Sequence, residues 1–211
     1  MIKIALCLFG QPRFISNYIA CNLYKEFILN KYDVDVYGHV WKASSYLTSS
    51  WNKIGEVVGD HNVEGIIIDQ YPKIKLKVEK PVTFNELNLD ANNIISQFYS
   101  IEQSVNLIEN PDQYRFILVG RWDLLLARFE PIDSLAEGYY TTNRHPSLAD
   151  QLIFCSPKYL PSIKMFDLTN DPKINEKTFS IEEFKLNYFK KLYIGENIQK
   201  YDFGGSLIRN L

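Results

Sequence analysis

Residues Tyr114–Leu126 read YRFILVGRWDLLL, and this stretch decides the fold. Five of its first six residues are apolar or aromatic. A strand buried on both faces of a parallel sheet shows such a near-continuous run, whereas a half-exposed strand alternates. The run meets Gly120, Arg121, Trp122 and Asp123 before turning apolar again. Glycine tolerates backbone conformations that other residues resist, so a sharp turn is expected at Gly120. The outcome is one cation and one carboxylate at the end of a buried strand, where open α/β sheets bind their ligands. Charges between apolar runs are costly to bury unless paired or used. Arg121 and Asp123 are therefore either an internal ion pair closing a turn or a pair recruited for ligand chemistry.

Upstream of this strand, the clearest helix is expected from Asn92 to Glu109. There Ile94, Phe98, Ile101, Val105 and Ile108 form one apolar stripe, and Asn110-Pro111 stops it. At the N-terminus, Ile2–Phe9 reads as a strand ending in the loop Gly10-Gln11-Pro12-Arg13. Ile19, Leu23 and Phe27 then mark a helix, with Ser16 as its N-cap. Asp33–Trp41 is a second strand ending in Gly, His and Trp. Strand, helix, strand is a βαβ unit and favours a parallel sheet. The Ser-, Asn-, Gly- and Lys-rich stretch 42–64 holds an amphipathic segment from Trp51 to Val58, and Gly65–Ile68 reads as a third strand. Gln70–Leu89, lysine-rich with Pro72 and Pro81, reads as mostly loop. Downstream, Tyr139–Thr142 and Gln151–Cys155 are further strands around the polar loop Asn143–Asp150. Ser156-Pro157 opens a helix, and Ser180-Ile181-Glu182-Glu183 caps a last one running to about Tyr193. The fold class is α/β: a mostly parallel central sheet flanked by helices, as a single domain over 1–211.

Composition narrows the function. The 211 residues are 46% apolar and 23% charged, ordinary for a globular protein. A net charge of −2 supplies no basic field for nucleic acid. Cys7, Cys21 and Cys155 lack CxxC spacing, which argues against a disulfide scaffold and a structural zinc site and fits a reducing, cytoplasmic compartment. No apolar run has the length of a membrane span, and MIKIALCLFGQPR carries no cleavage site, so it reads as strand one. The sequence has no GxSxG, HExxH, Walker A loop or GxGxxG, and the lack of the last argues against a dehydrogenase.

What remains is a set of polar residues at expected strand ends. Gln11 and Arg13 follow the first strand, His39 and Trp41 end the second, Arg121 and Asp123 follow the central one, and Asp150 precedes a later one. Each has a plain reading too. Arg13 can cap a helix, although its planar fork suits phosphate. His39 and Trp41 can be core residues. His145 can be an exposed loop residue, and Asp150 can serve only as a cap. Asp33 and Asp35 spell a literal acid-x-acid pair, but they precede their strand, which assigns them, as solvated loop acids, to the sheet edge opposite the ligand crevice.

Taken in order, LCLFGQPRF, DVDVYGHVW, QFYSIEQSVNLI, YRFILVGRWDLLL and ADQLIFCSP resemble a group of viral and bacterial polysaccharide glycosyltransferases of GT-A type. The shared pattern is a strand ending in GQPR, one ending in HxW, a helix with a YS pair, a strand ending in RxD, and a DQ before another strand. It spans roughly residues 1 to 165. Length and sequence also resemble the N-terminal capsid-glycosylating domains of chloroviruses, which implies one piece of a longer polypeptide working in the host cytoplasm.

The resemblance implies a GT-A fold, a nucleotide-diphosphate sugar as donor and a divalent metal, Mn²⁺ or Mg²⁺; the expectation built on it is transfer from a UDP-sugar to a hydroxyl of a glycan acceptor. On that expectation Gln11, Arg13, His39, Trp41, Tyr99, Ser100 and Arg121 hold the nucleotide-sugar, Asp123 holds the metal, and Asp150 is the general base of an inverting transfer; a retaining transfer needs no base in this place. The departure is at position 121, where the first acid of a DXD is arginine. A single carboxylate can still hold such an ion with phosphates and waters. Alternatively, Arg121 binds the diphosphate itself. The rival readings are a nucleotide- or carbohydrate-binding module without catalysis, and a nucleotide-sugar hydrolase.

Overall fold

The computed structural model describes residues 1–50, 53–84, 89–142, 152–164, 198–201 and 203–207. Among these, the central strand is β6 (Phe116–Arg121). It lies in a seven-stranded sheet with β1 (Lys3–Phe9), β2 (Asp33–Trp41), β5 (Lys75–Glu79), β8 (Tyr139–Thr142), β9 (Leu152–Cys155) and β10 (Ile198–Tyr201). The order is β10-β8-β9-β6-β1-β2-β5. Strand β9 runs against both neighbours, and every other adjacent pair is parallel. The mostly parallel α/β sheet expected from the sequence is present.

Burial follows the pleat. Ile4, Leu6 and Leu8 of β1 pack with Phe116 and Leu118 of β6 on one face, under Tyr24 and Ile28. Ala5, Cys7 and Phe9 face the other way, with Ile117 and Val119, against Phe98, Ile101 and Val105 of α3 (Leu89–Val105). Both faces are therefore apolar, which is why the β6 sequence does not alternate. The helix ends at Val105, earlier than its stripe suggests, although Ile108 beyond it is buried as well.

Three segments between residues 42 and 89 differ from the sequence reading. Gly65–Ile68 is not a strand but part of α2 (Val63–Gln70): Val63, Ile67 and Gln70 are all buried, which is helical spacing. Its run of three isoleucines looks like a strand, and tertiary packing overrides that preference. Within Gln70–Leu89, Lys75–Glu79 is β5, an edge strand whose lysines shield an exposed sheet edge. The stretch 42–64 holds an antiparallel hairpin, β3 (Ser45–Ser50) with β4 (Lys53–Val58).

The first helix, α1 (Ile19–Tyr24), runs on into a π-turn at Lys25–Leu29. It buries Ala20, Cys21, Tyr24 and Ile28, while Ile19 is 39% exposed, so the buried face is one residue on from the Ile19–Leu23–Phe27 stripe. Ser16 is not its cap. It lies in a 3-10 turn at Ile15–Asn17; Tyr18, at φ 59°, precedes the helix, and Asn17 Oδ1 accepts from the Ile19 N–H. Further on, Ser156-Pro157 opens a 3-10 turn leading into α4 (Leu160–Lys164), with Ser156 Oγ accepting from the Gly138 N–H. The expected helix from Ser180 to Tyr193 lies outside the described residues. Among those described, no helix is long and apolar enough to cross a membrane.

Candidate functional site

The chain leaves β1 for β2 on one side, while β6 pairs with β1 on the other. Between β1 and β6 the strand order reverses, and the crevice beyond the carboxyl ends of such strands is where doubly wound sheets bind ligands. Two loops meet there. After β1, Gly10 takes φ 92° and Phe14 φ 56°, bringing Gln11 and Arg13 back over the sheet. After β6, the turn at Trp122-Asp123 leads into β7 (Leu124–Phe129), which pairs with β11 (Phe203–Leu207).

Two glycines lock the second turn. Gly38 of β2 and Gly120 of β6 both pair with Leu8, one on each side. A Cβ on Gly38 would stand 2.7 Å from the Trp122 ring, and one on Gly120 would stand 2.5 Å from the Tyr24 hydroxyl. The Trp122 indole lies over Gly38 and donates to the His39 carbonyl at 2.9 Å, and Tyr24 donates to the Arg121 carbonyl at 3.0 Å. Gly120 has no positive φ. Its role is thus close approach, in place of the sharp turn expected from the sequence.

Held this way, Arg121 faces Asp123 as a fork. Nε donates to Oδ1 at 2.8 Å and Nη2 to Oδ2 at 3.0 Å. Arg13 Nη1 stands 3.7 Å from the same Oδ2, and Arg13 Nε donates to Gln11 Oε1 at 3.1 Å. Asp123 is fully buried. Among the described residues, two guanidinium groups here face one carboxylate. Among the described residues the donor set does not fit a metal ion: the one acid there has both oxygens turned to arginine, and no cluster of three His, Cys, Asp or Glu occurs. The Asp123 carboxylate, expected to hold Mn²⁺ or Mg²⁺, is engaged by Arg121 in this structure. The chemistry that fits is anion binding by planar guanidinium groups.

A second cluster adjoins the first. Ser100 Oγ accepts from the Gly10 N–H at 2.7 Å and lies 2.7 Å from His39 Nδ1. His39 Nε2 lies 2.9 Å from Glu79 Oε2, at the carboxyl end of β5. Burial pushes the His39 pKa down to about 4, and Lys77 and His39 hold the Glu79 carboxyl below its ordinary value although burial opposes them. His39 is therefore neutral and this contact is a hydrogen bond. A carboxylate only accepts, so Nε2 carries the proton and Nδ1 accepts from Ser100. Tyr99 adds a bond to Glu79 Oε2 at 3.3 Å and stacks on Trp41 with centroids 5.5 Å apart.

The structure thus brings Gln11, Arg13, Arg121 and Asp123 together, and His39, Trp41, Tyr99 and Ser100 beside them. His39, Trp41 and Ser100 are buried, so they brace the crevice instead of lining it. Glu79 is a site residue that the sequence hides, because its lysine-rich segment has the composition of a loop; the alternating KLKVE is the available signal. Asp33 and Asp35 begin β2, and Asp35 is bound to Lys3 and Tyr114, at the opposite edge as expected. Asp150, Gln151 and His145 lie outside the described residues.

No protein-family model matches the chain, and no curated protein matches it. Among solved structures, it is similar to the galactosyltransferase LgtC in complex with donor and acceptor sugar analogues, at 11% identity and a TM-score of 0.36, covering 74% of this chain and 58% of that one. An active-site mutant of LgtC gives 10% identity and a TM-score of 0.39 over 91% of this chain and 65% of that one. The chain spans less than two thirds of the length of these neighbours. The fold class rests on the sheet itself.

Proposed function

We propose that this chain transfers a sugar from a UDP-sugar to a glycan hydroxyl. The observation that carries the reading is the meeting of Arg13 and Arg121 on buried Asp123 at the switch point between β1 and β6. A diphosphate is the ligand whose charge and fork geometry suit that pair. In sugar transfer, negative charge grows on the departing diphosphate as the glycosidic bond breaks, and fixed guanidinium groups stabilise it. Asp123 keeps the two cations oriented and prevents their repulsion. The Gly10 loop, braced by Ser100, sets the position of Arg13.

The acceptor side falls to β9. Leu152 pairs with Gly120, so β9 begins at the edge where β6 ends. Asp150, two residues earlier in sequence, is our choice for the base that takes the acceptor proton in an inverting transfer. The resemblance to chlorovirus capsid-glycosylating domains supports a protein-linked glycan as acceptor. The saturation of Asp123 by Arg121 favours one second reading, a module that binds nucleotide-sugar without turnover.

Calorimetric titration with UDP, in EDTA and then in Mn²⁺, tests the proposal. UDP is expected to bind without added metal, and Arg13→Ala to weaken it about ten-fold or more. UDP release from UDP-sugars in the presence of glycan acceptors separates the enzyme from the binding module. Absence of UDP binding would refute both readings. Binding that depends wholly on Mn²⁺ would return Asp123 to the role of metal ligand.

A further inference from the structure

The positive cluster at β1 and β6 accounts for a diphosphate but not for the nucleoside attached to it. Glu79 ends β5, two strands from β1, roughly 10 Å along the edge at ordinary strand spacing. Its side chain is 28% exposed, and its Oε2 is held from three directions: by His39 Nε2 at 2.9 Å, Lys77 Nζ at 3.2 Å and Tyr99 OH at 3.3 Å. A buried histidine committed to orienting a half-exposed carboxylate is a costly arrangement for a surface acid, because a lone imidazole must give up water to make it. The same histidine reaches through Ser100 to the Gly10 N–H. Glu79 is thus wired to the loop that carries Arg13.

Resting on the UDP-sugar reading, we propose that Glu79 reads the ribose of the donor, accepting a hydrogen bond from a ribose hydroxyl. A nucleoside diphosphate with its phosphates over β1 and β6 has its nucleoside over the ends of β2 and β5, clear of β9, where the acceptor enters. The Tyr99 ring, backed by Trp41, stands beside that carboxylate. In doubly wound sheets an acid beyond the phosphate loop commonly takes the ribose hydroxyl, for the same reason: a fixed carboxylate is a strong acceptor that matches a hydroxyl and repels phosphate.

The test is titration of the wild-type chain with UDP, 2′-deoxy-UDP and 3′-deoxy-UDP, repeated with Glu79→Gln. Loss of a hydrogen bond to a charged acceptor is expected to weaken at least one deoxy analogue about ten- to a hundred-fold against wild type. In Glu79→Gln that discrimination shrinks several-fold while Arg13→Ala, which weakens all three ligands together, preserves it. A brace with no ligand contact would lower UDP affinity without changing the ratio of UDP to its deoxy forms. Equal binding of all three ligands by wild type, or an unchanged ratio in Glu79→Gln, overturns the ribose assignment and leaves the UDP-sugar reading standing. Failure of UDP itself to bind overturns both.

Discussion

Replacing Asp123 with alanine separates an ion pair that organises the crevice from a carboxylate that waits for metal. In the folded chain Asp123 is fully buried and accepts both Arg121 bonds, at 2.8 and 3.0 Å, with Arg13 at 3.7 Å. The arginine side chains are themselves only 13% and 11% exposed. Asp123→Ala therefore leaves two poorly hydrated cations facing each other. Breaking a buried pair from one side costs about 3–5 kcal/mol. For a chain of this size each kcal/mol moves the melting temperature by about 2–4 °C, so a fall of roughly 6–20 °C is expected. Asp123→Asn, which keeps the shape and loses the charge, belongs between the two. Differential scanning calorimetry in EDTA gives the comparison. A metal ligand behaves oppositely: its removal costs little in EDTA, while Mn²⁺ at about a hundred times its dissociation constant raises wild-type stability by about 2.7 kcal/mol and leaves the variant unmoved. A melting temperature for Asp123→Ala within about 2 °C of wild type, together with that metal response, would refute the ion-pair account.

Three further outcomes follow from the same geometry. Gly120→Ala places a Cβ 2.5 Å from the Tyr24 hydroxyl and must displace the bond to the Arg121 carbonyl, a loss of about 1–3 kcal/mol. Tyr24→Phe in that background is expected to recover part of it, and strictly additive effects by urea unfolding would contradict the close-approach role. His39 is neutral in the fold down to about pH 4 but takes up a proton near pH 6.5 when unfolded. Between those values the unfolded chain binds more protons, so this contribution is complete above pH 6.5 and is lost as pH falls towards 4, up to about 3 kcal/mol in all. Stability in His39→Gln should fall less steeply over that window, which melting curves at stepped pH would show. Finally, Asp33→Ala and Asp35→Ala should leave UDP affinity unchanged. Only Asp35→Ala should lose about 1 kcal/mol of stability with its Tyr114 and Lys3 contacts, and a weakened nucleotide would show that the binding edge has been misplaced.

The sequence made some of this legible and hid the rest for physical reasons. Continuous apolar strands with polar residues just past their ends point to a parallel sheet and to the edge where charge collects, because burial on both faces leaves no other place for it. Arg121 and Asp123 could be placed together from spacing alone. That they grip each other in a fork could not, because it depends on Trp122 and Tyr24 filling the space over two glycines on neighbouring strands. Gly65–Ile68 reads as a strand because three consecutive isoleucines carry that preference, which the packed, helically spaced face of Val63–Gln70 overrules. Lys75–Glu79 was misread because its lysines look like loop composition, although at a sheet edge they protect a strand. Glu79 was hidden with it, since the partners that make this acid distinctive lie 40 residues upstream and 20 downstream in the chain.

Two acid motifs compete for the site, and register decides between them. Asp33-Val34-Asp35 matches an acid-x-acid pattern by spelling, while Arg121-Trp122-Asp123 does not. Asp33 pairs with Lys3 at the start of β1, whereas Arg121 pairs with Phe9 at its end. Four residues of strand, roughly 13 Å, separate Asp35 from His39, which belongs to the used edge. A ligand bound at the Gly10 loop is therefore within reach of Arg121 and Asp123 and far from the literal pair. The motif with the better spelling is in the wrong place, and the one in the right place has exchanged an acid for a base. On the proposed reading, arginine at 121 suits an anion where an acid would suit a cation, and the chain's own arginines supply the charge that faces the diphosphate.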